Sequence, residues 1–94
     1  KTVQAVYKAA RDHRLLMVED NGAKLFPALQ FDGNSVRPAI PRVLAAAPTV
    51  SGWALLQYLV SGDEGLGDVR PIDLIKEDEA SIERVVRFAQ RLND

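Results

Sequence analysis

His13 is the only imidazole in the chain and cysteine is absent, which removes thiolate nucleophiles, thiolate metal sites and disulfide frameworks at once. Side-chain catalysis needs a nucleophile with a base in reach, paired carboxylates in a cleft, a metal cluster or a phosphate-binding loop. His13 stands at the exposed end of a predicted helix, where a solvated or phosphate-contacting imidazole accounts for it. Ser35, Ser51, Ser61 and Ser81 fall in turns or at helix starts, so capping explains their hydroxyls. The run Gly62-Asp63-Glu64-Gly65-Leu66-Gly67 lacks the Gly-Lys-Ser/Thr ending of a phosphate loop, and its acidic pair repels phosphate. Glu77-Asp78-Glu79 has neither the spaced oxygens nor the central glycine of a calcium loop and reads as an acidic helix start. No catalytic, cofactor-binding or metal-ligating residue is expected, and the chain reads as non-enzymatic.

What the spacing does support is recognition. Lys1, Gln4, Lys8 and Arg11 recur at helical spacing on one face of residues 2–13, and Arg14 extends the stripe. A hairpin carrying Lys24 follows this helix. Helix, turn and hairpin is the order of a winged helix-turn-helix, in which a recognition helix enters the major groove and the hairpin lies beside it. Gln4 is placed to read a base edge, with Lys1, Lys8, Arg11, Arg14 and Lys24 on phosphates. A solvated face of an amphipathic helix has the same pattern.

These residues need elements to hold them. Val3, Val6, Tyr7 and Ala10 make the apolar face of the first helix, with Thr2 as its N-cap. Leu15 to Glu19 and Lys24 to Phe31 flank Asp20-Asn21-Gly22, a tight hairpin turn, and Pro27 puts an end to regular pairing or lies on an edge. Asp32-Gly33-Asn34-Ser35 is a turn cluster. A helix starting at Pro38 or Pro41 runs to near Pro48. Ser51 caps the next, with Val50 and Leu55 as a hydrophobic staple and Gly62 as its stop. That helix, bearing Trp53, is apolar nearly all round and is predicted to be central to the core. A loop over 62–70 leads to a short helix opened by Pro71 and ending at Lys76 or Glu77. A last helix, capped by Asp78, follows with Ile82, Val85, Val86, Ala89 and Leu92 on one stripe. The expected class is α+β, mainly α: about five helices and one two-stranded wing-like hairpin. The expected division is 1–31, a partial winged helix-turn-helix, and 32–94, a helical binding domain.

With 94 residues the chain can bury one modest core. Net charge is -1, which favours neither a general nucleic-acid binder nor a disordered acidic tail, but residues 1–24 carry a balance of +2 and residues 25–94 one of -3. No apolar run approaches the ~20 residues of a membrane helix, and no signal-peptide pattern is present. A cytoplasmic location and no membrane partner are expected. The chain begins at Lys1, already at a helix start, so residues upstream are expected.

Residues from Val6 to Leu92 resemble the antitoxin family whose C-terminal half is the Xre/MbcA/ParS toxin-binding domain. The residues carrying the likeness are Lys24-Leu25-Phe26-Pro27-Ala28-Leu29-Gln30-Phe31-Asp32, Pro41-Arg42-Val43-Leu44, Gly52-Trp53-Ala54 and Leu66-Gly67-Asp68-Val69-Arg70-Pro71-Ile72-Asp73-Leu74-Ile75, followed by the helix with Val85 and Ala89. The tryptophan helix, the glycine-bearing loop and the Arg-Pro-x-Asp-Leu segment in that order are its most specific part. The resemblance implies a bacterial type II antitoxin that docks on a NAD-consuming toxin of the RES type and blocks its active site, without catalysis of its own. It also implies an N-terminal helix-turn-helix that binds the operon's own promoter. Trp53, Leu56, Leu74 and Ile75 are read first as core. What remains outside that core is the expected toxin-binding set: Asp63, Glu64, Asp68, Arg70, Arg84, Arg87 and Arg91. A homo-oligomer is expected, and the alternative is a stand-alone winged-helix regulator whose helical half dimerises.

Overall fold

The computed structural model describes residues 3–62 and 64–93, without the side chains of Val3 and Glu64. Helix α1 spans Val3–Arg11. It stops short of the expected His13 because His13 takes a left-handed φ of 59°, a region that histidine enters more readily than most residues. The amide of Arg14 then donates to Ala9 O (2.9 Å) and that of His13 to Ala10 O (3.2 Å), the paired bonds that close a helix C-terminus. Thr2, the expected cap, lies outside the described residues.

Strands β1 (Val18–Asp20) and β2 (Ala23–Leu25) pair antiparallel with Asp20 opposite Ala23. Asn21 and Gly22 both have positive φ, 52° and 83°, as the two-residue turn requires. The strands are shorter than the apolar runs around them. Leu15 and Leu16 are buried ahead of β1, and Leu16 takes its backbone partners from a side chain instead of a strand. That side chain is Gln30, fully buried: its Oε1 accepts from Leu16 N (2.8 Å), while Nε2 donates to Leu16 O (3.0 Å) and Pro27 O (3.1 Å).

Regular pairing ends before Pro27, one of the two outcomes expected for that proline, and a 3-10 turn, Ala28–Gln30, follows it. The turn cluster at 32–35 is the tip of a second hairpin, absent from the sequence-based expectation, in which β3 (Phe31–Asp32) pairs with β4 (Ser35–Val36). Gly33 adopts φ 62° at its first central position.

Helix α2 (Ala39–Ala46) follows Pro38 and buries Ala39, Ile40, Val43 and Leu44. Helix α3 (Gly52–Val60) begins as expected, with Ser51 Oγ accepting from Ala54 N at 3.2 Å. Its role in the core is narrower than its composition suggests. Only Leu55 and Leu59 are buried, and Trp53, expected in the core, is 50% exposed, its indole N–H donating to Glu19 O at 2.6 Å. The strand β1 lies across the start of α3 so closely that a Cβ on Gly52 would collide with the Met17 carbonyl oxygen.

The loop after α3 holds a 3-10 turn, Glu64–Leu66, that buries Leu66. Pro71 opens the short α4 (Pro71–Leu74), burying Ile72 and Leu74. Helix α5 (Glu79–Ala89) starts at Asp78, whose carboxylate accepts from Ser81 N at 2.9 Å, and buries Val85 and Ala89. The core joins α2, α3, α4 and α5 with Leu16 and Leu66. Tyr58 of α3 donates its hydroxyl to Val85 O of α5 (2.7 Å), and Asn93 donates to Ala46 O (2.7 Å), tying the C-terminal turn to α2. No described helix is long and apolar enough to cross a membrane.

The cap on α5 gives a pH-dependent contribution. Hydrogen bonds from Ser81 hold the Asp78 carboxyl below its ordinary 3.8, so it stabilises the fold above that pH and the contribution is lost as the pH falls through the lowered value. Asp78→Ala is expected to lower the melting temperature at neutral pH, and the difference from the parent chain to shrink at pH below 3.8. Thermal melts followed by circular dichroism at both pH values check this.

Candidate functional site

Two charged surfaces lie on elements at opposite ends of the chain. On α1, Gln4, Lys8 and Arg11 are exposed on one face, as the spacing predicts, and Arg14 is exposed just beyond the helix. Lys1 lies outside the described residues. The stripe is partly compensated by a carboxylate within it: Asp12 Oδ2 lies 3.0 Å from Lys8 Nζ and 3.4 Å from Arg14. These two cations, the hydrogen bond from Lys8 foremost, hold the Asp12 carboxyl below its ordinary value. The i, i+4 spacing of Lys8 and Asp12 is the sequence signal for this pair.

Lys24 joins this surface through an aromatic contact. Its amine sits 4.9 Å from the centre of the Tyr7 ring, which stacks on Phe26 at 6.3 Å. The first hairpin is therefore held beside α1 through Tyr7. None of the described residues of α1 is fully buried, and Tyr7 is 40% exposed, so the helix's apolar stripe is only partly covered. Val6 and Ala9 instead border an open groove of about 830 Å³ whose other walls are Leu15, Phe26, Phe31 and Val36.

The second surface is the solvent face of α5 and the loop against it. Arg84, Arg87 and Arg91 are exposed along one side, and among the described residues none has a carboxylate within ion-pair distance. Arg84 reaches the carbonyl of Gly65 at 3.4 Å, which brings the loop beside the helix, and Arg91 covers the Phe88 ring at 4.4 Å. Asp68 is exposed in the left-handed region with φ 61°. A Cβ on Gly62 would meet the Asp68 carbonyl.

Arg70 is engaged differently. It forks onto Asp73 at 2.9 and 3.3 Å, a pair that raises the arginine's pKa and lowers that of the aspartate, chiefly through the hydrogen bond. Its i, i+3 spacing to Asp73 is visible in the sequence, although Arg70 reads there only as a docking residue. Asp63 and the side chain of Glu64 lie outside the described residues. Arg42 makes a bidentate pair with Glu79 (3.1 and 2.8 Å), bracing α2 against the start of α5, and sequence reasoning gives no hint of it because the partners are far apart in the chain.

No protein-family model, curated protein or solved structure matches the chain. The arrangement itself then has to carry the reading. Among the described residues no group of three or more His, Cys, Asp or Glu side chains is placed to hold a metal ion. What the site offers chemically is two separate rows of cations, one of them with guanidinium groups that have no carboxylate partner among the described residues.

Proposed function

We propose that this protein is a non-enzymatic antitoxin that docks on a protein toxin of the RES type through α5 and the loop before α4, covering the toxin's NAD-consuming site. The observation that carries the reading is the row formed by Arg84 and Arg87 on the outer face of α5 and Arg91 in the 3-10 turn Gln90–Leu92 that follows it, exposed and without a described carboxylate partner. Arginine is a preferred interface anchor because its planar fork meets carboxylates two bonds at a time. Arg91 is already held over Phe88, so less side-chain freedom is lost when it docks. The segments that resemble the Xre/MbcA/ParS domain supply the helices behind this face. Asp68 and Arg70, at the rim of the same loop, are assigned to the edge of the contact. The proposed setting is a bacterial cytoplasm, with the chain acting as a homo-oligomer.

The test is co-purification from the native host with the natural flanking residues restored. A stoichiometric RES-like protein whose toxicity this chain suppresses on co-expression supports the reading. Recovery of the tagged chain without such a protein removes it.

A second role, binding the operon's promoter, rests on the first hairpin being held against α1 by the Lys24 contact with Tyr7. Gln4 is assigned to a base edge and Lys8, Arg11, Arg14 and Lys24 to phosphates, with Lys1 just outside the described residues. Affinity for promoter DNA is then expected to fall with salt, and the double change Lys8→Gln and Arg11→Gln to reduce the slope of log K on log salt by about 2. Fluorescence anisotropy across a salt series measures it, and a slope unchanged by the substitutions removes this role without touching the first.

A further inference from the structure

The apolar floor of the groove between α1, the two hairpins and the start of α2 is used by neither proposed role, although the two cations at its rim, Lys8 and Arg14, are among those assigned above to DNA phosphates. Its walls are mostly apolar, with Val6 and Ala9 from α1 facing Leu15, Phe26, Phe31 and Val36, while Asn34 and Ser35 of the second hairpin add polar edges, and its volume of about 830 Å³ is in the range of small-molecule sites. Among the described residues, the ionisable ones lining it are Lys8 and Arg14, and both are cations. They share one oxygen of Asp12, so the cluster of three groups keeps an excess positive charge, and both side chains remain more than half exposed at 62% and 57%. A mostly apolar trough whose rim carries two cations against the one carboxylate of Asp12 selects an amphiphile with a single negative charge.

We infer that this groove binds a free amphipathic monocarboxylate, its alkyl or aryl body lying between α1 and the Phe26–Phe31 wall and its carboxylate meeting Lys8 and Arg14 at the rim. The apolar body would cover the side of α1 that the core leaves open, and the carboxylate would supply the second acceptor that two cations sharing a single Asp12 oxygen lack. A neutral alcohol of the same length gains only the apolar part, and a cationic amphiphile is repelled at the mouth.

The probe is decanoate, titrated into the full chain and followed by calorimetry and by amide shifts, with 1-decanol and decyltrimethylammonium as comparisons. Saturable one-to-one binding of decanoate is expected, at least about tenfold tighter than decanol, with shifts centred on α1 and the second hairpin. The double variant Lys8→Gln and Arg14→Gln is expected to reduce decanoate to the level of decanol. Ala9→Trp fills the trough and abolishes binding; Ala5→Trp, at an exposed position on the same wall, does the same should the first variant fold poorly. Equal affinity for decanoate and decanol, shifts confined to the exposed Trp53 region, or binding that survives a folded tryptophan variant would each overturn the assignment. So would sedimentation showing a dimer that Ala9→Trp dissociates, since a second copy would then occupy the groove.

Discussion

Replacing Gln30 with Met is expected to cost the fold about 2–5 kcal/mol, because a side chain of similar length but without an amide leaves the buried N–H and C=O of Leu16 unpaired. Each such group costs about 1–3 kcal/mol, and a domain of this size has only about 5–15 kcal/mol in all. The melting temperature should drop by roughly 10 °C or more. Gln30→Glu separates the two halves of the interaction. It keeps an acceptor for the Leu16 amide but turns a second oxygen on the carbonyls of Leu16 and Pro27, which only a protonated carboxyl can satisfy. The folded state of that variant then binds a proton more readily than the unfolded chain, so its stability is present at low pH and lost as the pH rises. Urea denaturation at pH 4 and pH 8 checks the sign, and a Gln30→Met chain as stable as the parent would show that Leu16 finds other partners.

The second large effect is at Gly52. A methyl group there would meet the Met17 carbonyl oxygen far inside contact distance and crowd a methyl of Val18, and both contacts belong to backbone or core that cannot easily yield. Gly52→Ala ordinarily favours a helix, by up to about 1 kcal/mol. Here the clash is expected to win, with a net loss of about 1–3 kcal/mol of the kind seen on overpacking. The change should also loosen the bond from the Trp53 indole to Glu19 O, since β1 must move away from α3 to make room. Trp53 is the chain's only tryptophan, so its emission reports that movement directly alongside the denaturation curve.

These two residues also mark where sequence reasoning runs out. Local chemistry was legible: Asn21-Gly22 set the first turn, and Ser51, Pro71 and Asp78 set the starts of α3, α4 and α5. Each acts within a few residues of itself, which is the range a pattern can express. Gln30 acts across fourteen residues on a backbone it cannot be seen to face, and two-residue strands such as β3 and β4 are too short to show an alternating period. Trp53 was misplaced for a related reason. A helix apolar on all sides announces that some face is buried without saying which, and α3 spends its burial on Leu55 and Leu59.

The charged faces were legible as stripes, because helical spacing alone puts Gln4, Lys8 and Arg11 on one side and Arg84, Arg87 and Arg91 on another. How free each cation is depends on its neighbours. Asp12 and Asp73, at i+4 and i+3 from Lys8 and Arg70, could have been paired from spacing, whereas the stacking of Arg91 on Phe88 and the reach of Arg84 to Gly65 follow from rotamers and folding. The groove beside α1 was not legible at all, since its walls come from four elements that only the folded chain brings together.

The measurement that bears most directly on the proposed role is affinity for the co-purified toxin before and after reversing the arginine row of α5 and the turn after it, with Arg84→Glu, Arg87→Glu and Arg91→Glu combined. All three residues are exposed, so the variant's melting temperature serves as the check that it still folds. The dissociation constant is expected to weaken by at least about 100-fold, with toxin suppression lost in co-expression, as hot-spot arginines at about 1–2 kcal/mol or more each require. An unchanged affinity in the folded variant would contradict the assignment of α5 as the docking face.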